Sequence, residues 1–161
     1  MNNTINEQKQ NPIVVLFSSI NLKRPANIPK YATTGSACMD ISAHLETDAS
    51  IIVLQQSERK AIPTGFVVEL PEGYQMEIRP RSGISLRTGL GVHLGTIDHD
   101  FRGEVHIIVS NYGEHSEIIK HGDRIAQCIV SPAPKFEFKQ TELNKLSQTV
   151  RGTKGFGSTG V

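Results

Sequence analysis

The chain has 161 residues, a formal net charge of +1 and an apolar share of 37%, and it contains no tryptophan. This length predicts a single domain, and the balanced charge argues against long-range attraction to DNA, RNA or anionic lipid. No apolar run reaches the length of a membrane span. We therefore expect neither a nucleic-acid partner nor a membrane partner.

The polar residues 1–12 lack the apolar stretch of a secretory signal and predict a disordered N-terminal segment before the first strand. Cys38 and Cys128 lie far apart and show neither CxxC nor Cys/His spacing. This usage indicates two free thiols in a reducing compartment, so we expect a cytoplasmic protein.

Short β-branched runs recur along the chain and predict strands, separated by turns such as Pro63-Thr64-Gly65 and Pro71-Glu72-Gly73. The predicted strands cover residues 13–17, 51–54, 65–70, 74–78, 104–109, 125–130 and 135–138. This pattern predicts one all-β domain over residues 13–150, built as a sandwich or jelly-roll.

Helical signals are confined to two short segments. Residues 82–88 can form one or two turns, with Ser82 as the N-cap and Gly89 as the stop. Residues 142–148 fit a short turn in a loop equally well. We expect at most one short helix.

Residues 79–87 carry three arginines and no acid. The planar guanidinium group suits phosphate oxygens, and the Ser82-Gly83 step would expose backbone N–H groups to the same anion at a helix start. A solvated loop with ordinary surface arginines is an equally good interpretation of this segment alone.

Residues 95–103 place Asp98, His99 and Asp100 between glycines. A carboxylate beside bound phosphates can orient and deprotonate an attacking water, whereas an Asx-turn is the structural alternative. Because neighbouring strand residues point to opposite faces, we do not expect these three to converge on a metal ion, and His99 should face solvent.

Two further segments carry isolated polar residues. Asp40, in the small-residue stretch 35–41, would need partners if buried and could then order a site. Residues 122–127 predict a turn leading into a strand, in which Asp123 and Arg124 can pair and Gln127 can have an inward polar role. The chain has no P-loop, HExxH or Gly-x-Ser-x-Gly motif, so a water nucleophile is favoured.

The glycine-rich residues 151–161 contain one aromatic side chain, Phe156. Such a segment cannot bury enough apolar surface to hold itself in place. It is either a frayed tail or a flexible arm that closes over an anionic ligand bearing a ring.

Taken together and in order, five stretches resemble the five motifs of the trimeric dUTP diphosphatase (dUTPase) family. They are residues 35–41, 79–85, 95–103, 122–127 and 151–160. The resemblance implies a distorted jelly-roll of the β-clip type and hydrolysis of dUTP to dUMP and pyrophosphate by water attack on the α-phosphorus, assisted by Mg²⁺. It also implies a homotrimer with active sites at subunit interfaces.

The resemblance further implies a role for each matching residue. Asp98 is the base that holds the catalytic water, and Asp40 supports the site. The expected substrate contacts are Arg81, Ser82, Gly83 and Gln127 to phosphates, Gly95, Thr96 and Ile97 to uracil, and Arg151, Phe156, Gly157 and Ser158 from the arm. Phe101 stands where relatives usually have a tyrosine under the deoxyribose. No protein side chain is expected to bind Mg²⁺ directly, because triphosphate oxygens and water hold it.

Two other interpretations stay open. One is a nucleotide-binding sensor with the same fold and no turnover, and the other is a related enzyme of the dCTP deaminase type. Asp98, for which a sensor has no use, and the complete arm motif favour the hydrolase.

Overall fold

The structure, a computed structural model, describes residues 12–155. These residues form twelve short strands, one α-helix and one 3-10 turn. The strands are β1 (Leu16–Ser19), β2 (Lys30–Tyr31), β3 (Met39–Ser42), β4 (Ile51–Leu54), β5 (Arg59–Pro63), β6 (Phe66–Glu69), β7 (Tyr74–Pro80), β8 (Leu90–Val92), β9 (Gly95–Ile97), β10 (His106–Asn111), β11 (Glu117–Lys120) and β12 (Arg124–Pro132). The helix is α1 (Ser82–Arg87), and the 3-10 turn covers Leu143–Lys145.

Every strand pairing is antiparallel, and the strands form four small sheets. The largest has five strands in the order β2-β3-β12-β7-β9. The others have the orders β5-β10-β8, β1-β6 and β11-β4. This all-β single domain agrees with the class that the sequence predicts.

One hydrophobic core joins the sheets. Ile41, Leu54, Ile62 and Phe66 come from four different strands and are at most 1% exposed. Full burial of a side chain of this size contributes about 1.5–3 kcal/mol. The five-stranded sheet also contributes Met76, Ile78, Ala126 and Cys128 to this core, so one of its faces packs inward and the other is left for polar side chains.

Turn chemistry fixes the connections between strands as predicted. Gly65 and Gly73 adopt φ angles of +73° and +80°, values that favour glycine because other residues have a Cβ that crowds the backbone. At Gly65, a Cβ atom would also lie 2.5 Å from the ring of His44.

The strand prediction for residues 135–138 is wrong. This segment has no strand partner within residues 12–155, and Phe136 and Phe138 are 81% and 100% exposed. The alternation of charged and aromatic residues in this segment is typical of a strand. However, the preceding Pro132 and Pro134 lack N–H donors, so the hydrogen-bond ladder of β12 does not continue through them.

The helix lies where it was expected, but its cap differs. Arg81 is the N-cap residue and makes no side-chain capping bond, while Ser82 is already the first helical residue. The second segment with a helical signal is reduced to the 3-10 turn at Leu143–Lys145. In the part of the chain that the structure describes, no helix combines the length and apolar character needed to cross a bilayer.

Candidate active site

A row of polar side chains crosses four strands of the largest sheet. Lys30 lies opposite Asp40, Asp40 opposite Gln127, and Gln127 opposite Arg79. Directly opposed residues of antiparallel strands project to the same face. The neighbouring residues of β3 and β12, Ile41 and Ala126, are buried in the core, so the polar row occupies the face that the core leaves open.

Asp40 is the centre of an ion-pair network. Its two carboxylate oxygens accept from Nε of Arg81 at 2.8 Å and from Nη2 at 3.0 Å. Arg124 Nη1 donates to the same carboxylate at 3.1 Å, and the Arg124 carbonyl accepts from Arg81 Nη1 at 2.5 Å. Two guanidinium groups share one carboxylate, which leaves the group with one net positive charge.

A β-bulge in β12 makes this network possible. The pairing with β3 shifts register between Arg124 and Ala126, so that Arg124 lies opposite Ser42 while Ile125 is the extra residue. In a regular strand, residues 124 and 127 would point to opposite faces. The bulge lets Ile125 and Ala126 both enter the core and returns Arg124 to the polar face.

The predicted pairing of Asp123 with Arg124 is therefore wrong. Asp123 accepts instead from the backbone N–H of Lys120 at 2.7 Å, which closes the turn before β12. Arg124 pairs with Asp40. Sequence reasoning misses this contact because a bulge leaves no signal in the hydrophobic pattern beyond two consecutive apolar residues.

The polar row opens into a cleft of about 390 Å³, here called the arginine cleft. Its lining brings together five of the predicted site residues, namely Asp40, Arg81, Ser82, Gly83 and Gln127. Ser82 and Gly83 begin α1, where the first N–H groups of a helix have no intrahelical acceptor. Gln127 Nε2 donates to the Pro80 carbonyl at 2.8 Å, and its side-chain oxygen accepts no hydrogen bond from the residues that the structure describes.

The other two arginines of the segment do not line this cleft. Arg79 is bound to Glu77 through Nε at 3.0 Å and Nη2 at 2.7 Å. Their mutual hydrogen bonds raise the pKa of Arg79 and lower the pKa of Glu77. Arg87 lies in the last turn of α1. Of the three arginines in the segment, Arg81 is the one that lines the arginine cleft.

Asp98 lies in a different cleft, of about 280 Å³, here called the aspartate cleft. It is lined by Gly73, Tyr74, Gln75, Asp98, His99, Asp100, Ala133 and Lys135. Within residues 12–155, the Asp98 carboxylate is exposed and makes neither a hydrogen bond nor an ion pair. It is thus free to accept a proton from a ligand or from water.

The surroundings of Asp98 differ from the prediction in two respects. Residues 99–100 form a turn, closed by a bond from the Phe101 N–H to the Asp98 carbonyl at 3.2 Å, so the argument from strand alternation does not apply. His99 is half-buried and not fully solvent-facing. Among the described residues, neither Asp98 nor Asp100 bonds its own backbone as an Asx-turn requires.

Gly95, Thr96 and Ile97 form β9, which pairs only with β7 in the part of the chain that the structure describes. The preceding strand β8 pairs with β10 in another sheet. Among the described residues, β8 and β9 are thus both edge strands, each with one edge that has no strand partner. Phe101 is 41% exposed and packs against Gly103, where a Cβ would lie 2.5 Å from the ring.

The two clefts lie at opposite ends of β7. Tyr74, at its start, lines the aspartate cleft, whereas Arg81 follows its last residue, Pro80. Seven residues of extended strand span roughly 20 Å, and the clefts share no lining residue. One chain therefore does not bring Asp98 to an anion bound at Arg81.

Of the predicted arm residues, the structure describes Arg151, which lines neither cleft. Arg151 is exposed, and its Nε donates to the Lys154 carbonyl at 3.1 Å. Phe156, Gly157 and Ser158 lie outside the described residues.

Within residues 12–155, the fold and the two clefts define an all-β domain with one cleft lined by Arg81 and a second cleft lined by the unpaired carboxylate of Asp98. Comparison with known proteins identifies the family. The family model described as dUTPase matches residues 24–160, and the chain belongs to the dUTPase family.

Individual relatives agree with this assignment. A deoxyuridine 5'-triphosphate nucleotidohydrolase of Caulobacter vibrioides is 46% identical over 136 residues, which cover 83% of this chain and 86% of the relative. One of Chlamydia caviae is 42% identical over 142 residues, covering 86% and 95%. Among solved structures, the G164S mutant of a Staphylococcus bacteriophage 80alpha dUTPase with dUpNHpp has a TM-score of 0.81 at 28% identity, covering 92% of this chain and 99% of that chain.

Proposed function

We propose that the protein hydrolyses dUTP to dUMP and pyrophosphate, which limits uracil in DNA and supplies dUMP for dTMP synthesis. The observation that carries the proposal is the arginine cleft, where Asp40, Arg81, Ser82, Gly83 and Gln127 converge in a member of the dUTPase family. The names of its relatives support the same substrate.

The phosphates would bind in the arginine cleft. Arg81 uses three of its five N–H groups for Asp40 and the Arg124 carbonyl, and within residues 12–155 the other two have no acceptor. Ser82 and Gly83 add backbone donors at the start of α1. Because Asp40 fixes the guanidinium plane beforehand, little conformational entropy is lost when phosphate binds.

Asp98 would act as the general base. Its carboxylate accepts a proton from water as the water oxygen bonds to the α-phosphorus. The bond from the α-phosphorus to the bridging oxygen breaks, and its electron pair leaves with pyrophosphate. The open edges of β8 and β9 would bind uracil through backbone groups, and Phe101 would pack under the deoxyribose.

Mg²⁺ is the metal that the family resemblance implies. No group of three or more His, Cys, Asp or Glu side chains that could hold a metal occurs among residues 12–155. Asp40 lines the arginine cleft and supplies the hard oxygen that Mg²⁺ prefers, although both oxygens already accept from arginines. The ion would thus be held mainly by triphosphate oxygens and water, and when bound it neutralises phosphate charge.

A complete site would need more than one chain. Since Asp98 and Arg81 flank a strand of roughly 20 Å, we place the active site between subunits of a homotrimer, with the aspartate cleft of one chain facing the arginine cleft of another. The arm of residues 151–161, with Arg151, Phe156, Gly157 and Ser158, would close over the nucleotide. The two free thiols are in keeping with a cytoplasmic setting.

Pyrophosphate release from dUTP, dTTP, dCTP and UTP, each with and without Mg²⁺, tests the activity. We expect release from dUTP with Mg²⁺ and little from the other three. Tight binding of dUTP without release would indicate a sensor, and ammonia release from dCTP would indicate a deaminase. Either result would overturn the proposal.

Mixing two inactive variants tests the shared site. Arg81→Ala and Asp98→Asn chains, unfolded together and refolded as mixed assemblies, should regain up to about one quarter of the wild-type activity, because a cyclic assembly rebuilds intact sites from the undamaged halves of each chain. If the mixed assemblies are no more active than the separate variants, the active site does not lie between chains.

A further inference from the structure

The connection between β8 and β9 is only two residues long. His93 and Leu94 lie between the end of β8 at Val92 and the start of β9 at Gly95. Within these two residues the chain leaves the sheet of β5, β10 and β8 and enters the five-stranded sheet. The relative position of the two strand edges to which we assign uracil is therefore set at His93 and Leu94.

The side chain of His93 anchors this connection to β10. Its Nε2 lies 2.8 Å from Oγ of Ser110, and its backbone N–H donates to the Ile108 carbonyl at 2.9 Å. His93 is half-buried, whereas Leu94, the next residue, is 77% exposed. Of the two connecting residues, His93 is thus the one whose side chain fixes the crossing.

A guanidinium group orients the hydroxyl of Ser110 toward His93. Arg59 lies directly opposite Ser110 across β5 and β10, and its Nε donates to Ser110 Oγ at 3.1 Å. Ser110 is 4% exposed, so its hydroxyl cannot rely on solvent for its hydrogen bonds. A hydroxyl oxygen that accepts from a cation becomes a stronger donor, so we assign the O–H to His93, whose imidazole accepts at Nε2.

The start of the connection is packed closely on the same side. Gly91 of β8 also lies directly opposite Ser110, and a Cβ atom at Gly91 would clash with the ring of Tyr112. The centroid of the Tyr112 ring lies 6.4 Å from that of the His93 ring. Hydrogen bonds and packing therefore hold the end of β8, and His93 is the last of these contacts before β9 begins.

Exclusion of a single methyl group requires a rigid pocket. The base of dTTP differs from that of dUTP by one methyl group, and a pocket distinguishes ligands that differ by one such carbon by roughly 10- to 200-fold. Backbone that yields slightly would admit the methyl group. The side chains that hold the connection between β8 and β9 in place therefore also affect which base is accepted.

We infer that His93 is a positioning residue for base selection, which acts through Ser110 and Arg59 on the backbone of β8 and β9. The identity of the base rests on the proposed function. The hydrogen bond from Ser110 to His93 would keep the two strand edges at the spacing that a uracil ring fits. None of the five motifs of the resemblance assigns a role to these three side chains.

Steady-state kinetics with dUTP and dTTP tests this role. His93→Leu removes the acceptor, so the KM for dUTP should rise roughly five- to tenfold while kcat changes less than about twofold. The ratio of kcat/KM for dUTP to that for dTTP should fall by roughly fivefold. His93→Gln places an oxygen near the position of Nε2 and should restore most of both values. His106→Leu is the matched control, since His106 is an exposed imidazole at the start of β10.

Calorimetric titration separates base positioning from a general loss of structure. His93→Leu should weaken the binding of dUMP roughly five- to tenfold and change the binding of inorganic pyrophosphate, which has no base, less than about twofold. Ser110→Ala should weaken dUMP binding to a similar extent. The double variant should lose little more than either single variant, because both substitutions break the same hydrogen bond.

Unchanged dUMP affinity in His93→Leu would overturn the positioning role, as would equal losses for dUMP and pyrophosphate. So would equal losses in His93→Leu and His106→Leu, or a His93→Gln protein as impaired as His93→Leu. Failure of the wild-type protein to hydrolyse dUTP would instead count against the proposed function, because the titrations do not depend on that reaction.

Discussion

Arg81 and Asp40 form a two-point ion pair across the polar face of the largest sheet. Nε lies 2.8 Å from Oδ1, and Nη2 lies 3.0 Å from Oδ2. The pair is partly shielded, with the carboxylate side chain 13% exposed. Asp40 therefore fixes the orientation of the Arg81 guanidinium group, to which we assign phosphate binding, whereas Asp98 is proposed to act on water.

Asp40→Asn should disorder Arg81 because a neutral amide offers one acceptor oxygen in place of two charged ones. We expect kcat/KM for dUTP to fall roughly 10- to 100-fold, with KM raised. Steady-state kinetics measures the change, and Asp123→Asn, which alters an exposed carboxylate outside the cleft, is the control. Wild-type kinetics in Asp40→Asn would contradict the positioning role.

Asp98→Asn should lower kcat by a factor of about 10² to 10⁴, the usual contribution of a general base. Binding of a non-hydrolysable dUTP analogue should persist. The midpoint of thermal unfolding should not change, because the Asp98 carboxylate makes no contact with described residues that the amide would lose. Asp100→Asn removes the same charge from the same turn and should stay active; equal losses in both variants would point to a general charge effect.

Gly103→Ala should displace Phe101, since the added methyl carbon would lie 2.5 Å from Cζ and 2.9 Å from Cε2 of the ring. If this ring forms the wall beside the sugar, the preference for dUTP over UTP should fall, by roughly tenfold. The ratio of the two kcat/KM values is the measurement. Phe101→Tyr, which keeps the ring, should preserve the preference. If Gly103→Ala leaves the ratio unchanged, Phe101 does not form the wall beside the sugar.

Acid should destabilise the fold through His44. Burial lowers the pKa of His44 below its ordinary value, and His121 and Arg24 lower it further, against a smaller opposing effect of Glu104. The unfolded chain therefore binds a proton more readily, so stability present above about pH 6.5 is lost as the pH falls.

Urea unfolding at pH 7.5 and 5.5 tests this effect. The free energy of unfolding should fall less in His44→Gln than in the wild-type protein. His115→Gln, a substitution of an exposed imidazole, should keep the wild-type difference. If the free energy of unfolding falls as much in His44→Gln as in the wild-type protein, a group other than His44 causes the acid sensitivity.

The two thiols should differ in reactivity. Cys128 is fully buried, and burial raises the pKa of its thiol to about 12. Cys38 is half-buried and lines the arginine cleft. We expect a thiol reagent to modify Cys38 first in the native protein, and pyrophosphate to slow that reaction. Cys38→Ser protein should then react only on unfolding; rapid labelling of it in the native state would contradict the burial of Cys128.

Local sequence features predict the strand class and several element positions well. Residues 51–54 form β4 as expected, and the turn glycines lie at the predicted connections. Strands with charged residues or glycines were missed, for example β5 (Arg59–Pro63) and β9 (Gly95–Ile97). These strands lack a clear alternation of apolar and polar residues because charged residues and glycines interrupt it. Hydrogen bonds to neighbouring strands hold them in the sheet, and composition does not reveal those bonds.

The composition of the site was more predictable than its arrangement. Motif spacing groups Asp40, Arg81 and Gln127 as candidates, and the structure brings them into one cleft. Asp98 is separated from Arg81 because the two residues lie near opposite ends of β7. Lys30 lies opposite Asp40 because of the register between β2 and β3. Neither relationship has a local sequence signal, because both arise from pairing between distant segments.

The bulge in β12 also constrains insertions and deletions in this chain. Arg124 and Gln127 share a face only because one extra residue lies between them. Removing Ile125 would restore a regular ladder, but it would take a buried side chain out of the core and turn Arg124 away from Asp40. When relatives are aligned, a gap between these two positions should therefore coincide with loss of the Asp40 carboxylate or of Arg124 itself.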